Sequence, residues 1–162
     1  MCIRDSNNTI AGRTLDNSEV TINTTSITSI IIGNSVKIIG YDAFYECTNL
    51  VSLMIGDSVT SIGANAFDYC SSLASLTIGN SVTSIGYDAF AYCSSLASLT
   101  IGDSVTSIGH YAFYQCSSLT SVTMGDSVTS IGDHAFSGIR ANAIITIPVS
   151  YTHLTLPTTS PV

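Results

Sequence analysis

LASLTIGNSVTSIGYDAFAYCSS, residues 73–95, runs directly into LASLTIGDSVTSIGHYAFYQCSS, residues 96–118, which is almost the same text. The step of 23 residues extends in both directions: Leu50, Leu73, Leu96 and Leu119 keep it, as do Ile39, Ile62, Ile85, Ile108 and Ile131. Gly40, Gly63, Gly86, Gly109 and Gly132 form a third column, Phe44, Phe67, Phe90, Phe113 and Phe136 a fourth, and Cys47, Cys70, Cys93 and Cys116 a fifth. A fixed period in the low twenties marks a solenoid, in which each repeat is one coil and only stacked coils bury a continuous core.

Within one coil the apolar spacing changes twice. Leu73, Leu76 and Ile78 fit a short strand with its apolar members inward and Ser75 and Thr77 outward. Gly79, Asn80 and Ser81 read as a turn, Gly for its tolerance of positive φ and Asn for bonding its own backbone. Val82 and Ile85 return across the core as a second extended piece ending at Gly86. Ala89, Phe90 and Cys93 are spaced three and four apart, as on one face of a helix, so a single helical turn is predicted, with Tyr87, Asp88 and Tyr92 outward.

LxxLxI, VxxIG and AFxxC, five times in phase, are similar to the BspA-like leucine-rich repeat family over Ile27 to about Ile147. Gly33, Gly56, Gly79, Gly102 and Gly125 stand where that family often has Pro. The resemblance implies an α/β repeat solenoid: a right-handed superhelix with a parallel β-sheet, a second short extended segment and a short helical turn per coil. By spacing, coils open at Ile27, Leu50, Leu73, Leu96 and Leu119, and Ile145 and Ile147 begin a sixth; Ile139 replaces the fifth cysteine and Asn142 the next opening Leu.

Residues 27–148 are thus the solenoid, and 7–26 an edge strand or the remnant of a preceding region, with Glu19–Ile22 as the alternating piece. Residues 1–6 and 149–162 fit no column and resemble translated sequencing-adapter sequence; that resemblance implies that Cys2, Tyr151 and His153 carry no function and that the chain is a fragment of a longer one. Charged residues make up 9% of the chain, net charge is -7, and Lys37 is the single lysine. Without a basic footprint, nucleic acid is not an expected partner. Gly, Ser and Thr interrupt every apolar stretch before the ~20 residues a membrane-spanning helix needs, so no membrane insertion is expected.

Several columns invite chemistry. The cysteines lack a CxxC pair and are expected to be buried free thiols, favoured over bridges between coils because parallel inward side chains do not face one another. Asn34, Asp57, Asn80, Asp103 and Asp126 form a row that could serve as a calcium ladder but is better suited to turn chemistry. His110 and His134, near Asp133, read as solvated surface groups. With no nucleophile and base in register, neither an enzyme nor a bound cofactor or metal is expected. Ser29, Ser52, Ser75, Ser98 and Ser121, with Thr77, Thr100 and Thr123, make a hydroxyl ladder like that of ice-binding solenoids, interrupted by Ile31 and Met54; exposed strands suit such residues anyway.

Variation among the coils concentrates around AFxxC, where Tyr41, Tyr45, Tyr69, Tyr87, Tyr92, Tyr111 and Tyr114 mix with Asp42, Glu46, Asp68, Asp88, Gln115 and His134. Tyrosine gives contact area at low entropic cost, so Tyr41, Tyr45, Tyr69, Tyr87, Asp88, Tyr92, Tyr111 and Tyr114 are the candidate partner-binding residues, set against the alternative that the rings merely cover the layer edges. The expected function is a non-catalytic protein-binding or adhesion segment of a larger protein, with a passive spacer as the alternative and ice binding third. Microbial origin, cell-surface or secreted location, and a host-matrix or cell-surface protein as partner are what the family resemblance implies.

Overall fold

The computed structural model describes the backbone of Thr9–Ile10 and residues 26–148; both adapter-like tails and Glu19–Ile22 lie outside the described residues. Two kinds of strand alternate. The longer ones are β2 (Ser29–Ile32), β4 (Ser52–Ile55), β6 (Ser75–Ile78), β8 (Ser98–Ile101), β10 (Ser121–Thr123) and β12 (Ile144–Thr146). Between them come the two-residue strands β3 (Ile38–Ile39), β5 (Ser61–Ile62), β7 (Ser84–Ile85), β9 (Ser107–Ile108) and β11 (Ser130–Ile131), preceded by β1 (Thr9–Ile10).

Like pairs with like, in parallel, one coil apart: Ser75 lies opposite Ser98 and Ser98 opposite Ser121, while Ile62 lies opposite Ile85. The short strands form one six-stranded sheet from β1 to β11. At its edge the offset differs, because Ile10 pairs with Ile39 across 29 residues rather than 23. The long strands form two sheets, β2-β4 and β6-β8-β10-β12. The expected parallel sheet is therefore present but interrupted between the second and third coils, as the short-strand sheet is not.

The core lies between these faces. Leu73, Leu76, Ile78, Val82, Ile85, Ala89, Phe90 and Cys93 of one coil are all buried, as are their counterparts at Leu96, Leu99, Ile101, Val105, Ile108, Ala112, Phe113 and Cys116. The phenyl rings form a single file: Phe67 and Phe90 are 5.1 Å apart between centroids and 5° from parallel, Phe90 and Phe113 5.4 Å and 1°. Separations of this size, slightly above the ~4.8 Å strand spacing, give offset stacking, worth roughly 0.5–1.5 kcal/mol per pair beyond burial. In the fifth coil Ile139 takes the cysteine position and packs, partly buried, against the core.

The expected helical turn is absent; residues 87–92 form consecutive turns with no helix. Asp88 and Tyr92 have φ of 50° and 54°, in the left-handed region that a right-handed helix cannot contain. Their amides, with that of Phe90, donate to the next coil instead: Asp88 N–H to His110 C=O at 3.1 Å, Phe90 to Ala112 at 2.8 Å and Tyr92 to Tyr114 at 2.8 Å. The same three bonds link 65, 67 and 69 to 87, 89 and 91, and 111, 113 and 115 to 133, 135 and 137. Packed helices need axes ~8–10 Å apart, about twice the strand spacing. A helix in each coil would splay this side of the stack, whereas the flattened turn holds it at the spacing of the other two sides. The inward spacing of Ala89, Phe90 and Cys93 fits either conformation.

The turn glycines differ from expectation as well. Of the described glycines only Gly138 has positive φ, so Gly56 and Gly102 are not there for a left-handed backbone. They are there for close approach: a Cβ on Gly102 would lie 2.6 Å from the Gly79 carbonyl oxygen, and one on Gly56 2.6 Å from that of Ile32. At Gly79, beside the break between β4 and β6, nothing lies within 4 Å. Asn80 does not bond its own backbone but accepts the Asp103 N–H of the next coil through Oδ1 at 3.2 Å, as Asn34 accepts that of Asp57 at 3.1 Å.

Two glycines in one column should therefore respond oppositely. Gly102→Ala is expected to destabilise by about 1–3 kcal/mol through overpacking, and Gly79→Ala to be neutral or stabilising by up to about 1 kcal/mol through the unfolded chain, in urea unfolding. Equal losses at both would contradict the close-approach reading.

Candidate functional site

The flattened turn presents two columns of residues with positive φ. One holds Asp42, Asn65, Asp88, Tyr111 and His134; the other holds Glu46, Tyr69, Tyr92 and Gln115 and ends at Gly138. Asn, Asp and His tolerate this region, but Glu, Gln and Tyr enter it at a cost of about 1–2 kcal/mol each. Glycine appears at only one of these positions, so the other side chains are retained against backbone preference, a feature that concentrates at functional sites.

The tyrosines meet one another along this side. Tyr45 meets Tyr69 edge-on at 6.1 Å, Tyr69 stacks on Tyr92 at 4.4 Å and 9°, and Tyr92 meets Tyr114 edge-on at 5.5 Å. Tyr114 meets Tyr111, which contacts Tyr87 and stacks on His134 at 5.1 Å. Six of the seven candidate tyrosines thus join one aromatic band. Tyr41 stands apart, 63% exposed, because the next coil has Ala64 in its column. Asp88 is half-buried and accepts a hydrogen bond from Tyr87 of the band.

Beneath the band lies a residue that sequence reading does not set apart. Asp68 is 8% exposed and is the one buried charged residue among those described. Its column reads Tyr45, Asp68, Ala91, Tyr114, and the burial of Ala91 marks the position as half interior. Oδ1 of Asp68 and Oδ1 of Asp42 are buried without a hydrogen-bond partner. Desolvation, reinforced by Asp88, Asp42 and Glu46 and opposed by the Tyr69 backbone N–H, pushes the Asp68 carboxyl up to about 7 from an ordinary 3.8. Burial raises Asp88 too. Tyr92 is raised by desolvation first, then by its tyrosine neighbours and Asp68.

The other columns are spent on structure. Among the described residues Cys47, Cys70, Cys93 and Cys116 are buried and form no disulfide. The thiols of Cys70, Cys93 and Cys116 donate to the carbonyls of Phe44, Phe67 and Phe90 at 3.4–3.5 Å, and burial pushes Cys116 up to about 12. Thr60, Thr83, Thr106 and Thr129 each donate Oγ1–H to the coil before at 3.0–3.2 Å. His110 Nδ1 accepts the Asp133 N–H at 3.0 Å, one more bond between coils. Among the described residues no three of His, Cys, Asp and Glu gather as a metal site would require, and no helix is long and apolar enough to cross a membrane. A shallow groove of about 520 Å³ runs along the turn from Asp57 and Asn80 to Asp103 and Met124. Beside it the hydroxyl ladder of the long strands is interrupted by exposed Ile31 and Met54 and by the break between β4 and β6.

Parallel coils of strand, turn and short strand around a Leu, Ile and Phe core define a leucine-rich repeat solenoid. The chain belongs to the BspA type leucine rich repeat family, whose pattern matches residues 17–143 in six copies. The T. pallidum leucine rich repeat protein TpLRR is 30% identical, with a TM-score of 0.72 over 88% of this chain and 71% of its own. A leucine rich cell surface protein of Faecalibacterium prausnitzii is 33% identical, with a TM-score of 0.58 over 85% of this chain and 42% of its own. No curated protein matches the sequence.

Asp68 gives a pH test. Its folded value is raised, so the folded state holds the proton that an unfolded chain releases near 3.8; this stability is complete below about 4 and is lost as pH rises through about 7. Asp68→Asn is expected to flatten thermal stability across that interval and to raise the unfolding temperature at pH 8 by about 2–4 °C, the shift that ~1 kcal/mol produces. An unchanged pH slope would contradict it. For the cysteines, a thiol reagent should leave Cys47, Cys70, Cys93 and Cys116 unmodified in the folded protein and find five thiols, including Cys2, in denaturant. A smaller count without reductant would reveal bridges.

Proposed function

We propose that this chain is a non-catalytic, protein-binding segment of a bacterial surface or secreted protein, and that the tyrosine side of the solenoid is its contact face. The observation that carries this reading is the aromatic band, of which Tyr69, Tyr92 and Tyr111 stand at left-handed backbone positions that backbone preference alone would give to glycine. A face built this way is rigid before contact, because the turns that carry the rings are hydrogen-bonded to the neighbouring coils, so little ordering is left to be lost on binding. Tyrosine then offers apolar area with a polar tip. A surface location is supported by family membership and by the surface protein of F. prausnitzii. Host matrix proteins or another cell surface are the proposed partners.

A passive spacer is the second reading. It is favoured by the near-identity of residues 73–95 and 96–118, which differ at Asn80/Asp103, Tyr87/His110, Asp88/Tyr111, Ala91/Tyr114 and Tyr92/Gln115. Four of those five differences fall on the proposed contact face, as expected of a surface that discriminates.

Surface plasmon resonance over immobilised fibronectin, laminin and collagen separates the two. A binding segment is retained by at least one, and Tyr69→Ser with Tyr92→Ser weakens that binding about tenfold or more, in the range of an interface hot spot, with the fold intact. Retention by none would favour the spacer.

A further inference from the structure

We propose that Tyr69 and Tyr92 form an oxidative modification site, at which a haem peroxidase working with hydrogen peroxide joins the two rings by a carbon–carbon bond and staples the second coil to the third. This pairing is independent of whether the tyrosine side meets a partner.

Tyrosines meet at several points along the turn side, but among the described residues only these two are neighbours in one column, where Glu46, Tyr69, Tyr92 and Gln115 follow at steps of 23 residues. The backbone conformation repeats with the column, φ being 59° at Tyr69 and 54° at Tyr92, so both side chains leave the turn in the same direction. Their rings consequently lie within 9° of parallel with 4.4 Å between centroids, whereas tyrosines of different columns meet edge-on at 5.4–6.1 Å. Like atoms of two such rings lie beside one another, the ortho carbons included. The hydroxyl ends are close as well, since the phenol of Tyr69 helps to raise that of Tyr92. Both rings are exposed, Tyr69 by 40% and Tyr92 by 37%, while Tyr45, Tyr111 and Tyr114 are half-buried. Exposure lets an oxidant reach the pair and leaves the rings room to turn edge to edge, as a bond between them requires. Tyr87 is exposed too, but its ring contact is with half-buried Tyr111. The thiols of Cys47, Cys70, Cys93 and Cys116 are buried and do not compete for the oxidant.

In the reaction each phenol gives up one electron and its hydroxyl proton to become a phenoxyl radical, whose unpaired electron is shared with the ortho carbons. Coupling forms one bond between an ortho carbon of each ring. The hydrogen on each of those carbons then leaves as a proton, and each oxygen takes a proton back from water. Two ring C–H bonds are thereby exchanged for one C–C bond, and the peroxide takes up the two electrons and two protons and leaves as two molecules of water. The new bond would fall where the stack is less tied than elsewhere. Neighbouring long strands β4 and β6 do not pair, and the inward Leu53 and Ile55 of β4 stay half-buried where Leu76, Ile78, Leu99 and Ile101 are buried. At this level the coils are joined by the short strands β5 and β7 and by turn bonds such as Tyr69 N–H to Ala91 C=O at 2.9 Å. A link from Tyr69 to Tyr92 closes a loop of chain across that joint, which disfavours the unfolded state.

The test is oxidation of the whole chain in dilute solution, with Cys2 alkylated beforehand, by a haem peroxidase and hydrogen peroxide. Dityrosine fluorescence reports the bond, and digestion with a protease that cuts before aspartate locates it: Tyr92 is the one tyrosine of peptide 88–102, while Tyr69 shares peptide 68–87 with Tyr87. The expected product is these two peptides joined with the loss of two hydrogen atoms, the link placed at Tyr69 and Tyr92 by fragmentation in the mass spectrometer. Tyr69→Phe and Tyr92→Phe, which keep both rings, should each lose the linked pair. Tyr41→Phe removes the tyrosine that is most exposed among those described and should keep it. Oxidation in urea should show no preference for this pair, and the linked protein should unfold at a higher temperature than the unlinked one. Survival of the linked pair in either of the first two variants, links made chiefly through Tyr41, through Tyr151 or between chains, or no dityrosine at all would overturn the site. An unchanged or lower unfolding temperature of the linked protein would overturn its role as a staple.

Discussion

Every side of each coil must advance by the same short step, that of neighbouring β-strands, and this constraint shapes the rest of the structure. Where it holds, identical residues fall above one another and the core becomes a set of files: phenyl on phenyl, thiol on carbonyl, leucine on leucine. No coil is closed by itself. The face of Phe90 is covered by Phe67 on one side and Phe113 on the other, so burial of the aromatic core belongs to the array rather than to any one repeat. The step also sets the glycine columns, because a Cβ at Gly86 would lie 2.6 Å from the backbone of Gly63.

The same constraint accounts for the unusual backbone of the third side. A helix would satisfy its own amides but is too wide for the step, so the chain alternates between right- and left-handed turns and sends every second amide to the next coil. Two residues per coil are thereby placed at positive φ with their side chains outside the ladder. Fixed spacing within the core thus creates a fixed spacing of outward positions on which tyrosines and carboxylates are mounted. The band of rings and the acid beneath it follow from the packing of the interior, and the short step brings Asp88 and Asp42 close enough to Asp68 to help raise its carboxyl.

How far the sequence discloses this depends on whether a feature repeats. Columns of Leu, Ile, Phe and Cys lie in the interior as their periodicity suggests, because apolar side chains in register have no other place to go. The conformation of the AFxxC segment is not legible, since spacings of three and four describe both a helical turn and a flattened one; the outward αL residues Asp88 and Tyr92 distinguish them only once coordinates are known. The roles of Gly102 and Asn80 escape the sequence for a related reason: both act on a neighbouring coil, whereas turn rules describe a residue's own backbone. Asp68 does not stand out because it occurs once. Its partners Tyr45 and Ala91 in the same column, one half-buried and the other buried, are the available sign. The break between β4 and β6 has no counterpart in the repeat pattern.

Amide hydrogen exchange at Asp88 and Tyr92, followed by NMR, tests the shared step most directly. Both residues lie on the outer turn, and in a helix beginning here the Asp88 amide would be among those with no partner inside the helix. With the third ladder in place, both amides are bonded to the next coil and should be protected as strongly as the strand amides of Leu76 and Leu99, exchanging only when coils separate. Rapid exchange at Asp88 and Tyr92 beside protected strands would mean that the turns do not stack at strand spacing.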